Sequence, residues 1–182
     1  MANPLIEQAM NVIDDFEEME RPSLWIQMRD RKKVAAQLRD RVNNPFLIYQ
    51  GTSGTCGPAS ITFEIARANP LDYVVAVTSL YNTCYARVRK WVLIPCNDLR
   101  KAPCPLGIAE ADWIILASIR DSENWFFDVE SERDVFASGT TLGEIEDWFK
   151  NAGYTDVQKN QIYLNIRMNT IPNLRESLTI IR

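Results

Sequence analysis

Cys56 is the residue in this chain best placed to do chemistry. It follows a short Gly- and Ser-rich stretch, Gln50-Gly-Thr-Ser-Gly-Thr, and precedes Gly57-Pro-Ala-Ser60 and the run Ile61-Thr-Phe-Glu-Ile-Ala-Arg67. A small turn of this kind delivers a thiol to the start of an apolar helix, where unpaired N–H groups and the positive end of the helix dipole favour a thiolate. Gln50, six residues upstream, is near enough for its side-chain amide to meet the same oxygen as the Cys56 backbone N–H, and the pair would form an oxyanion hole. Two carboxylates follow at a spacing of sixteen: Asp112, before Trp-Ile-Ile-Leu-Ala117, and Asp128, after Trp125-Phe-Phe127.

The chain contains no His, so the usual partner of a catalytic thiol is missing. A carboxylate, with an ordinary pKa of about 3.9 against about 8.5 for a thiol, is a poor base for that proton. An ionised carboxylate in contact with the sulfur would also repel the thiolate, at about 1.4 kcal/mol per pKa unit. Three routes stay open. The helix holds Cys56 as a thiolate while Asp112, protonated, serves as a general acid; or Asp112 is the working carboxylate, binding a cationic or ribosyl-like centre in glycosyl- or NAD-type chemistry; or the cleft is catalytically inert and binds a peptide or protein segment. Ser53 and Gly57 beside the thiol, with Trp113, Arg120 and Glu123 along the second stretch, are the expected substrate contacts.

Gln50, five residues, then Cys56-Gly-Pro-Ala59 resembles the active-site start of papain-like cysteine peptidases, most closely the short bacterial form that trims leader peptides on bacteriocin exporters. In that form a His opens a later strand and an Asp about sixteen residues on orients it; here Asp112 and Asp128 stand at those places. The segments 49–59, 111–128 and 141–154 are similar to toxin domains at the C-termini of bacterial polymorphic toxins, including Rhs-type effectors of type VI secretion, in which Asp-Trp takes the place of His-Trp. The likeness runs from roughly Asn44 to Tyr154. It implies a papain-like fold and a cysteine-dependent hydrolase or transferase, a protease, deamidase or related amide enzyme, delivered by secretion into a target-cell cytoplasm. Cys56 would be the nucleophile, Gln50 the oxyanion donor, Asp112 the acid or substrate-binding carboxylate and Asp128 its orienting partner. A cytosolic protein or small-molecule target and a cognate immunity protein are the implied partners.

These residues need a scaffold, and 182 residues at 46% hydrophobic and 24% charged are enough for one well-buried core. The expected fold is α+β: a central cysteine-bearing helix on an antiparallel sheet (44–182), with an N-terminal helical hairpin (1–43) packed against it. A net charge of −4 and a pI near 5.0 make no electrostatic case for nucleic acid or an anionic membrane. No apolar run reaches the roughly 20 residues of a membrane span, and the first residues lack a signal-peptide pattern. Cys56, Cys84, Cys96 and Cys104 form no Cys-x-x-Cys pair, and neither a metal nor a cofactor is expected. Cys96 and Cys104, flanking a Pro-rich loop, are one candidate disulfide, although reduced thiols are the rule in a bacterial cytosol.

The periodicity predicts an acidic amphipathic helix over residues 4–19 and a basic one from Leu24 to Val42, their charges facing one another. Asn43-Asn-Pro45 breaks the second. After the cysteine helix, Ala68-Asn-Pro70 leads into another over 71–81. Residues 87–94, 113–119 and 124–129 read as strands, the last two as a hairpin across Arg120-Asp-Ser-Glu123, with a loop over 95–111. A helix from Thr140 or Thr141 ending at Gly153 and a strand over 162–168 complete the reading. Trp91, Trp113, Trp125 and Trp148 are core candidates.

Overall fold

The computed structural model describes residues 3–124 and 142–154. Its elements in order are helix α1 (Pro4–Glu18), α2 (Arg31–Asn43), a 3-10 turn (Pro45–Leu47), α3 (Cys56–Ala68), α4 (Pro70–Thr83), strands β1 (Ala86–Val88) and β2 (Trp91–Leu93), α5 (Asn97–Lys101), α6 (Glu110–Asn124) and α7 (Leu142–Asn151). The class is α+β, with helices dominant and, among the described residues, one two-stranded antiparallel sheet.

Side-chain caps set several of the boundaries. Asn3 accepts from the Leu5 amide, Asp30 from Lys33 and Asn69 from Asp72, each leaving fewer first-turn donors unpaired. Pro4 and Pro70 sit where a helix needs no N–H. Gly153, at φ +84°, ends α7 with its amide and that of Tyr154 bonded back to Lys150 and Phe149.

The hairpin expectation for the N-terminus holds in outline. Helices α1 and α2 pack together and Arg39 of α2 reaches both Asp14 and Glu17 of α1 at 2.6 Å. The basic helix is shorter than predicted, because Asp30 caps it at Arg31 and Leu24–Arg29 crosses the core edge as irregular chain. Trp25 there is fully buried, its indole donating to the Leu80 carbonyl at 3.0 Å. Arg31 is buried as well. Its guanidinium lies over the rings of Phe16 and Tyr81 and donates to Phe16 O, Arg21 O and Asn82 Oδ1, so it joins α1, α2 and α4.

Two strand expectations change. Residues 113–119 form the middle of helix α6, and Arg120–Glu123 continues that helix where a turn was predicted. From Ala111 to Arg120 every residue of α6 is buried. A helix enclosed on all sides loses the polar stripe that marks helical period, so a run rich in Ile and Trp reads as a strand. The 87–94 strand is a tight hairpin pairing Ala86 with Leu93 and Val88 with Trp91, and Arg89 at φ +55° opens its two-residue turn. The loop from 95 to 111 carries the short helix α5. Residues 125–129 and 162–168 lie outside the described residues.

Among the described residues the cysteine helix packs mainly on other helices. Helix α3 packs on α4, α6 and α7, while the hairpin packs β1 on α4 and β2 on α6. Trp91, Trp113 and Trp148 are buried, with Trp91 stacked on Trp148 at 6.2 Å; Trp125 lies outside the described residues.

Candidate active site

Cys56 is the first residue of α3 and is half-buried. The buried side of the helix carries Gly57, Pro58, Ala59, Ile61, Thr62, Ile65 and Ala66. Cys56, Ser60, Phe63 and Glu64 are only partly covered, so at steps of four and three residues they form the open ridge. Thr55 at the N-cap makes no bond to the helix with its side chain; its hydroxyl pairs with that of Ser53 at 2.6 Å. Pro58 has no N–H to offer, which leaves Cys56 and Gly57 as the first backbone donors at this end.

Gln50 is held by its main chain. Its carbonyl accepts both the Ser53 amide at 3.2 Å and the Ser53 hydroxyl at 2.7 Å. The loop turns at Gly51 (φ +59°) and Gly54 (φ +68°), conformations that suit glycine, and a Cβ at Gly51 would meet the Ile108 side chain at 3.0 Å. The Gln50 side-chain oxygen is enclosed without a hydrogen-bond partner among the described residues; it is an acceptor, and an oxyanion role for this side chain falls to its amide nitrogen. Thr62 Oγ1, further along α3, is likewise enclosed and unpartnered.

Asp112 does not open a strand. It lies in the first turn of α6, fully buried, and its carboxylate meets Arg41 at both ends: Arg41 Nε to Oδ1 at 2.8 Å and Nη2 to Oδ2 at 2.9 Å. Oδ2 also accepts the Tyr49 amide at 3.1 Å. Burial raises the Asp112 carboxyl above the usual carboxylate range, and Arg41 and the Tyr49 amide pull the other way. The paired carboxylate in turn holds the Arg41 guanidinium above its ordinary value against the opposing effect of burial. Arg41 is the last of three α2 side chains, one per turn, that grip the start of α6. Lys33 pairs with Glu110 at 2.7 Å, Gln37 Oε1 accepts the Ala111 amide at 3.0 Å, and Arg41 takes Asp112.

The structure thus connects Gln50, Ser53, Thr55 and Cys56 in one loop and reaches Asp112 through Tyr49. It does not bring the other expected contacts to a surface. Trp113 and Arg120, at 4% and 5% exposure, are enclosed in α6. Gly57 is buried in the first turn of α3. Glu123 belongs to α6 but its side chain, like all of Asp128, lies outside the described residues. Arg41, Tyr49 and Thr55 were missed. Arg41 is one of six basic residues between 29 and 41, and nothing local distinguishes it from the other five.

The four cysteines are free, so Cys96 and Cys104 are not joined. Burial raises the thiols of Cys84 and Cys96 above their ordinary value and pushes that of Cys104 up to about 11. Among the described residues no cluster of acidic or cysteine side chains is arranged to hold a metal ion, and no helix is long and apolar enough to cross a membrane. Comparison with protein-family models, with curated proteins and with solved structures finds no match to this chain.

Proposed function

We propose that this chain is an effector domain of bacterial antagonism, with a papain-like arrangement around α3, acting as a cysteine-dependent hydrolase or transferase on an amide or related bond. Cys56 is the nucleophile and Gln50 the oxyanion donor. The observation that supports this most is the partly open thiol at the first position of α3, preceded by a glycine-hinged loop that carries Gln50 six residues upstream. In the reaction the S–C bond forms as the bond to the leaving amine breaks. Solvent takes the thiol proton and supplies one to the amine, and water then cleaves the thioester in a hydrolase.

The carboxylate-based reading, with Asp112 on a cationic or ribosyl-like centre, requires Arg41 and the Tyr49 amide to give up a fully buried group. That pairing favours the cysteine reading. It also favours one rival: Asp112 is engaged and the chain has no His, so neither can serve as the base, and an inert peptide-binding domain needs none. Delivery into a target-cell cytoplasm, a cytosolic substrate and an immunity partner belong to the same proposal.

Growth of a bacterial host expressing the chain in its cytoplasm separates the readings. The proposal expects arrest by the parent and normal growth with Cys56→Ala, both variants being checked for folding by circular dichroism. Equal toxicity of the two would remove cysteine catalysis, and absence of toxicity in the parent would remove the effector reading.

A further inference from the structure

We propose that Arg41 and Asp112 are positioning residues that hold Gln50 against Cys56, an inference that rests on the cysteine-and-glutamine reading of the site. A buried ion pair is expensive to desolvate and in many proteins can be replaced by apolar residues without loss. What distinguishes this one is where its remaining hydrogen bonds go. Arg41 Nη2, besides pairing with Asp112, donates to the Leu47 carbonyl at 3.2 Å, and Asp112 Oδ2 accepts the Tyr49 amide at 3.1 Å. Both bonds fall on one short segment of backbone, and the residue after it is Gln50.

On its other side Gln50 is fixed by Ser53, which donates twice to its carbonyl, and by Gly51 lodged against Ile108. Phe46, at the start of the segment, rests on Phe63 of the cysteine helix with ring centres 5.1 Å apart. The segment is therefore tied to α2 and α6 by charge and to α3 by an aromatic contact. An oxyanion donor acts only from a fixed position, because its gain depends on donors already aimed where charge develops. Arg41 and Asp112 supply that fixity from outside the reacting centre, and their own burial keeps water from competing for the bonds.

The test uses two reagents that make different demands on Cys56. With p-nitrophenyl acetate the sulfur attacks the carbonyl carbon, an oxyanion forms, the C–O bond breaks and p-nitrophenolate leaves, with the thiol proton passing to water. With dithiodipyridine the sulfur attacks sulfur, the S–S bond breaks and a pyridinethiolate leaves, and no oxyanion forms. Rates are followed at Cys56 by peptide-resolved mass spectrometry in the parent, Gln50→Ala and the double variant Arg41→Met with Asp112→Leu. The expected result is acetylation slowed about 100-fold in both variants, with disulfide exchange within about twofold of the parent.

A double variant acetylated at the parental rate while Gln50→Ala is slow overturns the positioning role and leaves the cysteine-and-glutamine reading intact. Gln50→Ala at the parental rate removes the oxyanion reading and the positioning role with it. Equal slowing of both reagents in the double variant shows a general loss of structure and also overturns the proposal. If the double variant does not fold, Arg41→Lys decides. A lysine can pair with Asp112 but cannot also span to Leu47 O as the guanidinium fork does, so acetylation is expected to slow about tenfold with disulfide exchange unchanged; a parental rate contradicts the proposal.

Discussion

Asp112 has no exposed surface and three hydrogen bonds, two from Arg41 and one from the Tyr49 amide. Removing either partner of such a pair leaves a buried charge uncompensated, so Arg41→Met or Asp112→Leu alone should each cost about 3–5 kcal/mol. The double substitution should recover most of that loss, and chemical denaturation of the three variants measures it as a coupling energy. Cys104 offers a second check at this scale. Its thiol is held up at about 11 against an ordinary value near 9. Because the folded value is the higher one, this group favours the folded state at lower pH, and its contribution is lost as pH rises from 9 through about 11. Alkylation of Cys104 followed against pH should show a midpoint near 11, and a midpoint near 9 would contradict a thiol desolvated by its surroundings. Residue type alone pointed to Cys56 and Gln50. The ion pair was not legible, because Arg41 and Asp112 are 71 residues apart and a buried arginine leaves no mark in a basic stretch.

Helix α6 shows why elements were read less well than residues. Its middle is buried on every side and its start is held by partners from α2, Lys33, Gln37 and Arg41, so the polar stripe of a helix is absent there while the three grip points are spread over an earlier element. Where caps are local, as at Asn3 and Asn69, sequence and structure agree on a helix near that point. The loop between the 3-10 turn and α3 depends on glycine geometry. Gly51→Ala should cost roughly 1–2 kcal/mol, since it forces a Cβ into a left-handed conformation and within 3.0 Å of Ile108. It should also slow the reaction of Cys56 with carbonyl electrophiles, because the strain falls on the residue next to Gln50. A thermal melt and an acetylation rate on the same sample test both halves of that expectation.

For the whole molecule, charge and composition allowed one core, and the buried residues of α1, α2, α3, α4, α6 and α7 do form one cluster with those of the hairpin. The N-terminal helix is part of it. Ala9, Ile13 and Phe16 of α1 are buried, Phe16 meets Tyr81 of α4 edge-on at 5.1 Å, and Arg31 ties α1 to α4. A chain starting at Arg21 would expose that face of α4 and is expected to lose its cooperative thermal transition; a sharp transition close to the parent's would show that the rest of the chain folds without α1. The central claim concerns the thiol this core presents. Intact-mass and peptide mapping after brief treatment with p-nitrophenyl acetate at neutral pH tests it most directly. The account predicts a single acetyl group on the peptide containing Cys56, lost in Cys56→Ser. Acetylation spread over Cys96 and surface lysines, with Cys56 no faster than they are, would contradict it.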